Sequence, residues 1–451
     1  MAENTNNDLH IAPATPSFIE ALAFWLKLGL ISFGGPAGQI AIMHQELVEH
    51  RRWISERRFL HALNYCMVLP GPEAQQLATY IGWLMHGTRG GIVAGVLFVF
   101  PSLLILIALS YVYMAYGHTN FISGIFEGIK PAVTVIVIQA VQRIGGRALH
   151  HLSLCLIAVA AFIAIFFFNI PFPLILLGAA LLGWCGSRFS PQDFHLSAHA
   201  GAKHKYYGKA VIDDESPSLA HTRFSWRGLS KVLVAGCVLW SLPMFTLYSV
   251  LGWQHTYTQM AWFFTKAALM TFGGAYAVLP YVMQAAVQEF AWLSPRQMID
   301  GLALGETTPG PLIMVLAFVG FVGAYAQALF GPGLEWQAGA VAACLVTWFT
   351  FLPSFIFIFA GAPIIETTHS QLSLSALLSA ITAAVVGVVL NLALFFAWHV
   401  LFPEGWSHGI DTKALLISLL AAFALFHLKW KVTTVIAMSA LLGLIARVFY
   451  S

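Results

Sequence analysis

The chain has 451 residues, of which 59% are apolar and only 9% are charged. A soluble domain carries roughly a quarter charged residues, so this composition excludes a soluble globular protein. At about 20 apolar residues for each crossing, the chain could supply on the order of a dozen membrane segments. The net charge of +3 is too small to indicate nucleic-acid binding, and the five cysteines lack metal or redox spacing.

In chain order, a polar tail at 1–17 comes first, and it lacks the basic start and cleavage site of a signal peptide. Apolar segments then form one unit at 18–187 and a second unit at 259–451. The polar stretch at 188–228 predicts a flexible cytoplasmic linker. The apolar run at 229–251 predicts one additional transmembrane helix.

The two units are copies of one sequence. A shift of 239 positions aligns 27–72 with 266–311 without a gap, and a shift of 252 aligns Pro101-Ser102 with Pro353-Ser354. Two unrelated apolar segments would align leucines by chance, but they would not also match lysine, tryptophan, arginine and Pro-Gly-Pro at the same positions. The aligned pairs are Lys27 with Lys266, Phe33-Gly34-Gly35 with Phe272-Gly273-Gly274, Trp53 with Trp292, Ser55 with Ser294, Arg57 with Arg296, and Pro70-Gly71-Pro72 with Pro309-Gly310-Pro311.

The arginines predict that the copies are inverted, because basic loops stay in the cytoplasm. The four arginines at 51–58 would lie outside if the segments at 18–33 and 60–84 each crossed fully. They stay inside if both segments enter the membrane and return, which a break at mid-depth in each segment favours. Copy two has only Arg296 in the corresponding loop. The predicted fold is therefore an all-α polytopic membrane protein of two inverted repeats with broken, re-entrant helices, joined by one extra transmembrane helix.

Inverted repeats with broken helices are a transporter architecture, with the substrate site near the midplane. Proline favours the first position of a helix, so helices are predicted to begin at Pro36, Pro72 and Pro311. Helix N-termini bind anions through free N–H groups and the peptide dipoles. The predicted donors are the amides of Ala37, Gly38, Ala74 and Gln75. The alternative is that the breaks are structural kinks.

Charged residues near the breaks are candidates for substrate attraction and proton coupling. Lys27 and Lys266 lie two turns before their glycine pairs, where they could attract an anion or extend to the headgroups. Glu73 and Glu306 are predicted to bind protons, since burial and an anion site favour protonation; capping or pairing is the alternative. A pair of Glu127 with Lys130, three residues apart on one helix face, is expected to be structural.

The doubled Phe-Gly-Gly, the Trp-x-Ser elements and the doubled Pro-Gly-Pro near Tyr80-Ile81-Gly82 resemble the chromate ion transporter family in its long, two-domain form. The resemblance implies a bacterial inner-membrane protein that exports chromate, with a cytoplasmic N-terminus and a periplasmic C-terminus. It implies functional roles for 33–35, 70–72, 272–274 and 309–311. Copy two departs from copy one at Ala275, which replaces Pro36 and so removes the proline that favours a helix start there.

The resemblance therefore implies export of chromate, driven by membrane potential, a proton gradient or both. Alternatives are transport of sulfate or another oxyanion, and a membrane-embedded enzyme that uses a buried glutamate. The expected partners are the oxyanion, the lipid bilayer and, if the chain dimerises, a second copy; no cofactor or nucleic acid is expected. The predicted substrate-binding residues are Lys27, Phe33, Gly34, Gly35, Pro36, Gly38, Pro70, Gly71, Pro72, Ala74, Gln75, Lys266, Phe272, Gly273, Gly274, Thr308, Pro309, Gly310 and Pro311.

Overall fold

The computed structural model describes residues 13–33, 35–189, 207–214, 220–367 and 375–450. Within these ranges the regular structure is helical, with one isolated β-bridge, which confirms the predicted all-α fold. The sixteen α-helices of this part are α1 (Phe18–Ile31), α2 (Gly35–His44), α3 (Glu56–Val68), α4 (Glu73–Tyr116, with arms α4a at 73–85 and α4b at 88–116), α5 (Asn120–Ala148), α6 (Leu152–Phe168), α7 (Phe172–Phe189), α8 (Trp226–Leu251), α9 (Thr256–Leu269), α10 (Ala275–Met283), α11 (Pro295–Thr307), α12 (Val315–Ala326), α13 (Glu335–Thr367), α14 (Ser375–Leu401), α15 (Thr412–Ala422) and α16 (Val432–Tyr450).

Helices break at all four positions where the sequence places glycine and proline. The breaks separate α1 from α2, α3 from α4, α9 from α10, and α11 from α12. The predicted helix starts agree to within one residue: α2 begins at Gly35, Pro72 caps α4, and a 3₁₀ turn follows Pro311. Of the predicted break residues, Gly34 lies outside the described ranges.

The arms of α4 form an antiparallel hairpin that reverses at His86 and Gly87. Gly87 has a φ of +63°, in the left-handed region that favours glycine. The arms pack closely through glycines, because a Cβ on Gly82 would lie 2.6 Å from the carbonyl oxygen of Gly90. The chain therefore enters the membrane with α3, returns to the same side with α4a and crosses the membrane only with α4b, as the re-entrant prediction requires.

One end of the molecule, here called the linker face, carries the loop at 51–55. Part of the linker is fixed to this loop, since the N–H of Val211 donates to Arg52 O at 3.0 Å and that of Ile212 to Trp53 O at 3.1 Å. Residues 207–214 are thus docked on copy one, whereas the prediction had the whole linker flexible. Residues 190–206 and 215–219 of that linker lie outside the described ranges.

Helix α8 carries the chain from the linker face to the opposite face. It starts after His221, whose Nε2 lies 3.0 Å from Trp83 O at the end of α4a. Its 26 residues extend about 39 Å. At the far end the Thr256 hydroxyl of α9 donates to Gln327, just after α12. The hairpins of copy two thus enter from the face opposite to those of copy one.

Five helices of the described chain, namely α4, α5, α8, α13 and α14, are long and apolar enough to cross a membrane. Their outward side chains are apolar: on α8, Leu233, Val234 and Leu242 are exposed. Contiguous exposed apolar surface of this extent marks contact with lipid. The chain is a multi-pass membrane protein.

Candidate functional site

The two copies meet at their helix breaks, where the Pro-Gly-Pro loop of each lies against the Phe-Gly-Gly loop of the other. The N–H of Gly310 donates to the carbonyl oxygen of Ser32 at 2.8 Å, and the N–H of Gly71 donates to that of Thr271 at 2.7 Å. Both donors and both acceptors align at the shift of 239, so the two hydrogen bonds are equivalent in the two copies. We call the contact at Ser32 the first crossing and the contact at Thr271 the second crossing.

Only glycine fits the centre of each Pro-Gly-Pro loop. Gly71 and Gly310 have φ values of +124° and +103°, which L side chains rarely adopt. A Cβ on Gly71 would lie 2.4 Å from Ser354 Oγ, and one on Gly310 would lie 2.6 Å from Ser102 Cβ. Each serine lies near the middle of a long crossing helix of the other copy, α13 or α4b. Both crossings therefore lie near the membrane midplane.

A buried glutamine stabilises the first crossing. Gln39 is fully buried in α2, and its Nε2 donates to Gly310 O at 2.5 Å and to Ser32 O at 3.4 Å. The aligned residue in copy two is Val278, so this amide has no counterpart at the second crossing. Gln39 was not among the predicted site residues; the signal that could have identified it is a polar residue that aligns with valine in the second copy.

The second crossing has a different glutamine, which also comes from copy one. Gln76 Nε2 donates to Pro70 O at 2.8 Å and to Ser354 Oγ at 3.3 Å. Its aligned residue in copy two is Val315. Copy one therefore supplies the side-chain amide at both crossings.

Several buried polar atoms around the crossings have no hydrogen-bond partner among the described residues. An unpaired buried polar group costs about 1–3 kcal/mol, so a polar guest would stabilise this region. The serine hydroxyls can donate to such a guest, which suits the oxygens of an oxyanion, whereas the glutamine Oε1 atoms can only accept a hydrogen bond. The atoms are Ser32 Oγ, Gln39 Oε1, Gln75 Oε1, Gln76 Oε1 and Ser102 Oγ.

Helices α2 and α10 begin at the crossings, where their first N–H groups lack intrahelical acceptors. Gly35 opens α2 with a φ of +72°, and Gly274 precedes α10 with a φ of +97°. Helix α10 begins at Ala275, so the missing proline does not prevent a helix start in copy two. The positive ends of two helix dipoles thus face the crossing loops.

The other predicted residues differ in their accessibility. Ala37 is exposed and Phe33 is 37% exposed, whereas Ala74 is buried. The Thr308 hydroxyl donates to Gly305 O at 3.3 Å within its own helix end. Thr308 therefore terminates α11, and its hydroxyl proton is already committed.

The two candidate proton carriers have unlike surroundings. Glu306 is 6% exposed and accepts a hydrogen bond from the Tyr276 hydroxyl. Tyr276 lies in the first turn of α10 and Glu306 in the last turn of α11, so this pair links the two crossings within copy two. Their aligned residues in copy one are Ala37 and Met67. Glu73 is half-buried at the first position of α4, where the helix dipole stabilises a carboxylate.

The two aligned lysines also occupy different positions. Lys27 is exposed on α1 beside Leu26 and Leu30, on the side away from buried Trp25. Lys266 is half-buried in α9. Lys27 therefore lies on the exposed side of α1, and its two predicted roles, attraction of the anion and extension to the headgroups, stay predictions.

Sequence reasoning missed a charged cluster near the linker face. Glu366 of α13 accepts a hydrogen bond from the Tyr80 hydroxyl at 2.6 Å and pairs with Arg58 at 3.2 Å. Arg58 and Tyr80 belong to copy one and Glu366 to copy two. The cluster thus joins the copies at the end of the molecule where α3 begins.

A second cluster of a carboxylate, a tyrosine and a basic residue lies in the opposite half. Asp300 of α11 is 3% exposed, accepts a hydrogen bond from the Tyr113 hydroxyl at 2.9 Å and pairs with Lys130 at 3.4 Å. The predicted pair of Glu127 with Lys130 is therefore wrong, and Glu127 pairs with Arg447 instead. Spacing along one helix could not identify these partners, because both come from copy two.

Comparison with known proteins shows that the chain matches one protein family over most of its length. The sequence profile of the family described as Chromate transporter matches residues 19–184 and 258–444, one match in each copy. The chromate transport protein of Pseudomonas aeruginosa is 31% identical over 388 residues, which cover 85% of this chain and 82% of that protein. The chromate transport protein of Cupriavidus metallidurans is 26% identical over 445 residues, covering 97% and 95%.

A shorter relative matches less than a third of the chain. An uncharacterised transporter of Bacillus subtilis is 28% identical over 132 residues, which cover 29% of this chain and 74% of that protein. No solved structure shows a significant match to the chain.

Proposed function

Because this chain belongs to the chromate transporter family, we propose that it exports chromate, or a closely related tetrahedral oxyanion, from the cytoplasm. The observation that carries the proposal is the doubled crossing, in which Gly71 and Gly310 of opposite copies donate to Thr271 and Ser32. This arrangement assembles helix N-termini and unpaired polar groups at one depth in the membrane.

The proposed site binds the dianion without a buried positive side chain. Amide N–H groups at the starts of α2 and α10 supply one set of donors. The hydroxyls of Ser32 and Ser102 supply a second set, while the amides of Gln39 and Gln76 hold the two crossings in place. Neutral donors let the ion leave again, since a tightly paired charge would slow its release.

The membrane potential alone suffices as a driving force. Moving two negative charges outward across 100 mV, inside negative, is favourable by about 4.6 kcal/mol, which is two charges at about 2.3 kcal/mol each. Proton coupling through Glu306 or Glu73 is an additional element of the proposal. Glu306 is the stronger candidate, because it and Tyr276 connect the two crossings.

The proposed orientation puts the linker face in the cytoplasm of a bacterial inner membrane. The four arginines at 51–58 lie at this face, and basic loops favour the cytoplasmic side. The N-terminal segment begins at the same face, since His86 Nε2 lies 3.1 Å from Pro16 O. The C-terminus would then be periplasmic.

The experiment is chromate flux in proteoliposomes of the full-length protein, with an imposed potential and no pH gradient. We expect potential-driven flux in the wild type and its loss in Gly310→Ala, because a Cβ would collide with Ser102. Gly333→Ala is the matched control: it also has a positive φ, of +84°, but nothing lies within 4 Å of its Cβ.

Three results would contradict the proposal. Absence of flux for both chromate and sulfate would exclude export of a tetrahedral oxyanion of this kind. Recovery of a chemically altered product would indicate an enzyme, because a transporter returns its substrate unchanged. Equal flux in Gly310→Ala and Gly333→Ala would show that transport does not depend on the first crossing.

A further inference from the structure

An open groove of about 530 Å³ runs along the membrane-facing surface between α8, α4b and α13. Phe355 and Phe359 of α13 form its floor and lie on Gly91 and Gly95 of α4b, where a Cβ would come within 2.5–2.7 Å of the rings. Helix α8 forms the wall and touches α13 at Gly236, where a Cβ would lie 2.6 Å from the nearest side-chain atom. The groove is therefore apolar, and close packing at three glycines holds its shape.

The length of the groove along α8 is close to the thickness of one leaflet of the bilayer. Along α8 it extends from Gly228 to Leu239, a rise of about 16 Å at 1.5 Å per residue. The hydrocarbon core is about 30 Å thick, so one leaflet contributes about half of that. The inner end is closed by Trp348, whose Nε1 donates to Leu239 O at 3.2 Å.

The end at the linker face is positively charged. Arg223 and Lys231 line it, both are exposed, and neither forms an ion pair with a carboxylate among the described residues. Ser225, which also lines the groove, caps the N-terminus of α8, so the positive end of a 26-residue helix dipole adds to the two cations. An anionic group is favoured there.

We propose that this groove binds one phospholipid with an anionic headgroup, drawn from the leaflet at the linker face. An acyl chain lies along Phe355 and Phe359 down to Trp348, and the headgroup phosphate lies between Arg223 and Lys231. The apolar floor accounts for the chain and the two unpaired cations account for the charge. A free phosphate would contact only the two cations and would leave the apolar floor empty.

Helix α8 has no counterpart in either copy, so the groove occurs once and in one leaflet only. Much of α8 is exposed, with contacts to α13 at Gly236 and Trp240. A bound lipid fills the gap between α8 and α4b. It therefore fastens the connecting helix to both repeats.

The test uses the full-length protein in detergent, with native mass spectrometry to measure bound lipid and thermal unfolding to measure stabilisation. Dioleoyl phosphatidylglycerol is the anionic probe and dioleoyl phosphatidylcholine is the neutral probe. We expect the wild type to prefer the anionic lipid by about tenfold or more, as two cations near one phosphate predict. Arg223→Gln combined with Lys231→Gln should abolish that preference.

The matched control is Arg57→Gln, an exposed arginine at the same face but outside the groove, which should keep the full preference. Ala235→Trp, which fills the groove from α8, should reduce retention of both lipids. The proposal is overturned if the wild type retains the two lipids equally, or if Arg57→Gln loses as much preference as the double variant. It is also overturned if inorganic phosphate displaces the anionic lipid completely, which would identify a site for a soluble anion.

Discussion

The broken hairpins of the two copies share a sequence pattern but differ in how deeply the protein encloses them. In α10 of copy two, Ala275 and every residue at 277–283 are buried, whereas in α2 of copy one the buried residues are Gln39 and Met43. The same contrast holds between α11 and α3: the first has an unbroken buried run at 298–306, and the second is buried on one face. The protein therefore encloses the hairpins of copy two, whereas those of copy one lie at its edge.

The two copies also supply different kinds of polar side chain near the crossings. Copy one supplies Gln39 and Gln76, where copy two has valines. Copy two supplies the pair of Tyr276 and Glu306, where copy one has alanine and methionine. Substrate contacts and proton transfer would thus reside mainly on different copies, which mutations can separate.

The largest expected effect comes from neutralising the enclosed charged cluster. Asp300→Asn leaves Lys130 without its partner in the interior, and breaking a buried pair costs about 3 kcal/mol. Glu366→Gln, in the cluster at the linker face, should cost about 1 kcal/mol, because the Glu366 side chain is 12% exposed against 4% for Asp300. Denaturant unfolding in mixed micelles measures both. Equal losses would contradict the contrast between enclosed and edge positions.

Glu306→Gln should affect coupling rather than permeation. The glutamine keeps the hydrogen bond to Tyr276 but cannot release a proton, so we expect flux driven by a pH gradient to fall about tenfold. Flux driven by the membrane potential should persist. Glu73→Gln is the comparison, because Glu73 lies at a helix start in copy one. A pH response that survives in Glu306→Gln would remove this residue from the mechanism.

Gln39→Leu tests the contribution of copy one to the first crossing. Leucine has a similar volume but leaves two carbonyl oxygens without their donor, which costs about 1–2 kcal/mol. We expect a several-fold loss of chromate flux with little change in expression. Gln284→Leu, at a half-buried position after α10, is the control. Flux that is equal to that of the wild type would show that the first crossing does not need this amide.

The smallest effect is expected at the aligned lysines. Lys27→Ala should leave flux within about twofold of the wild type, because its side chain is exposed on α1, on the side away from the buried face of that helix. Lys266→Ala should reduce flux more, since its side chain is half-buried in α9. Initial rates at limiting chromate measure the difference. A larger loss at Lys27 would restore the prediction that this lysine attracts the anion.

The helix breaks and the repeat could be predicted from the sequence because both are local signals. Proline and glycine interrupt a helix wherever they lie, and the duplicated motifs mark the copies directly. The turn of α4 at Gly87 was implied by the arginine distribution, which required the chain to return to its starting face.

The partners across the copies could not be predicted, because they depend on how distant segments pack. Lys130 has a carboxylate three residues away in Glu127, yet it pairs with Asp300, which lies 170 positions along the chain. Gln39 bonds to Gly310 for the same reason. Helical spacing describes neighbours on one helix only, and a single sequence contains no record of contacts between helices.

The central claim, that both crossings hold the oxyanion, is tested most directly by equilibrium binding of radiolabelled chromate to the purified protein. Ser102→Ala and Ser354→Ala each remove a hydroxyl that lies against a Pro-Gly-Pro loop. Each should weaken binding about tenfold, as expected for one lost hydrogen bond to a charged group. Ser110→Ala removes a buried hydroxyl of α4b that has no hydrogen-bond partner among the described residues and lies away from the crossings, and it should leave the affinity unchanged. Unchanged affinity in Ser102→Ala and Ser354→Ala, or an equal loss in Ser110→Ala, would contradict the account.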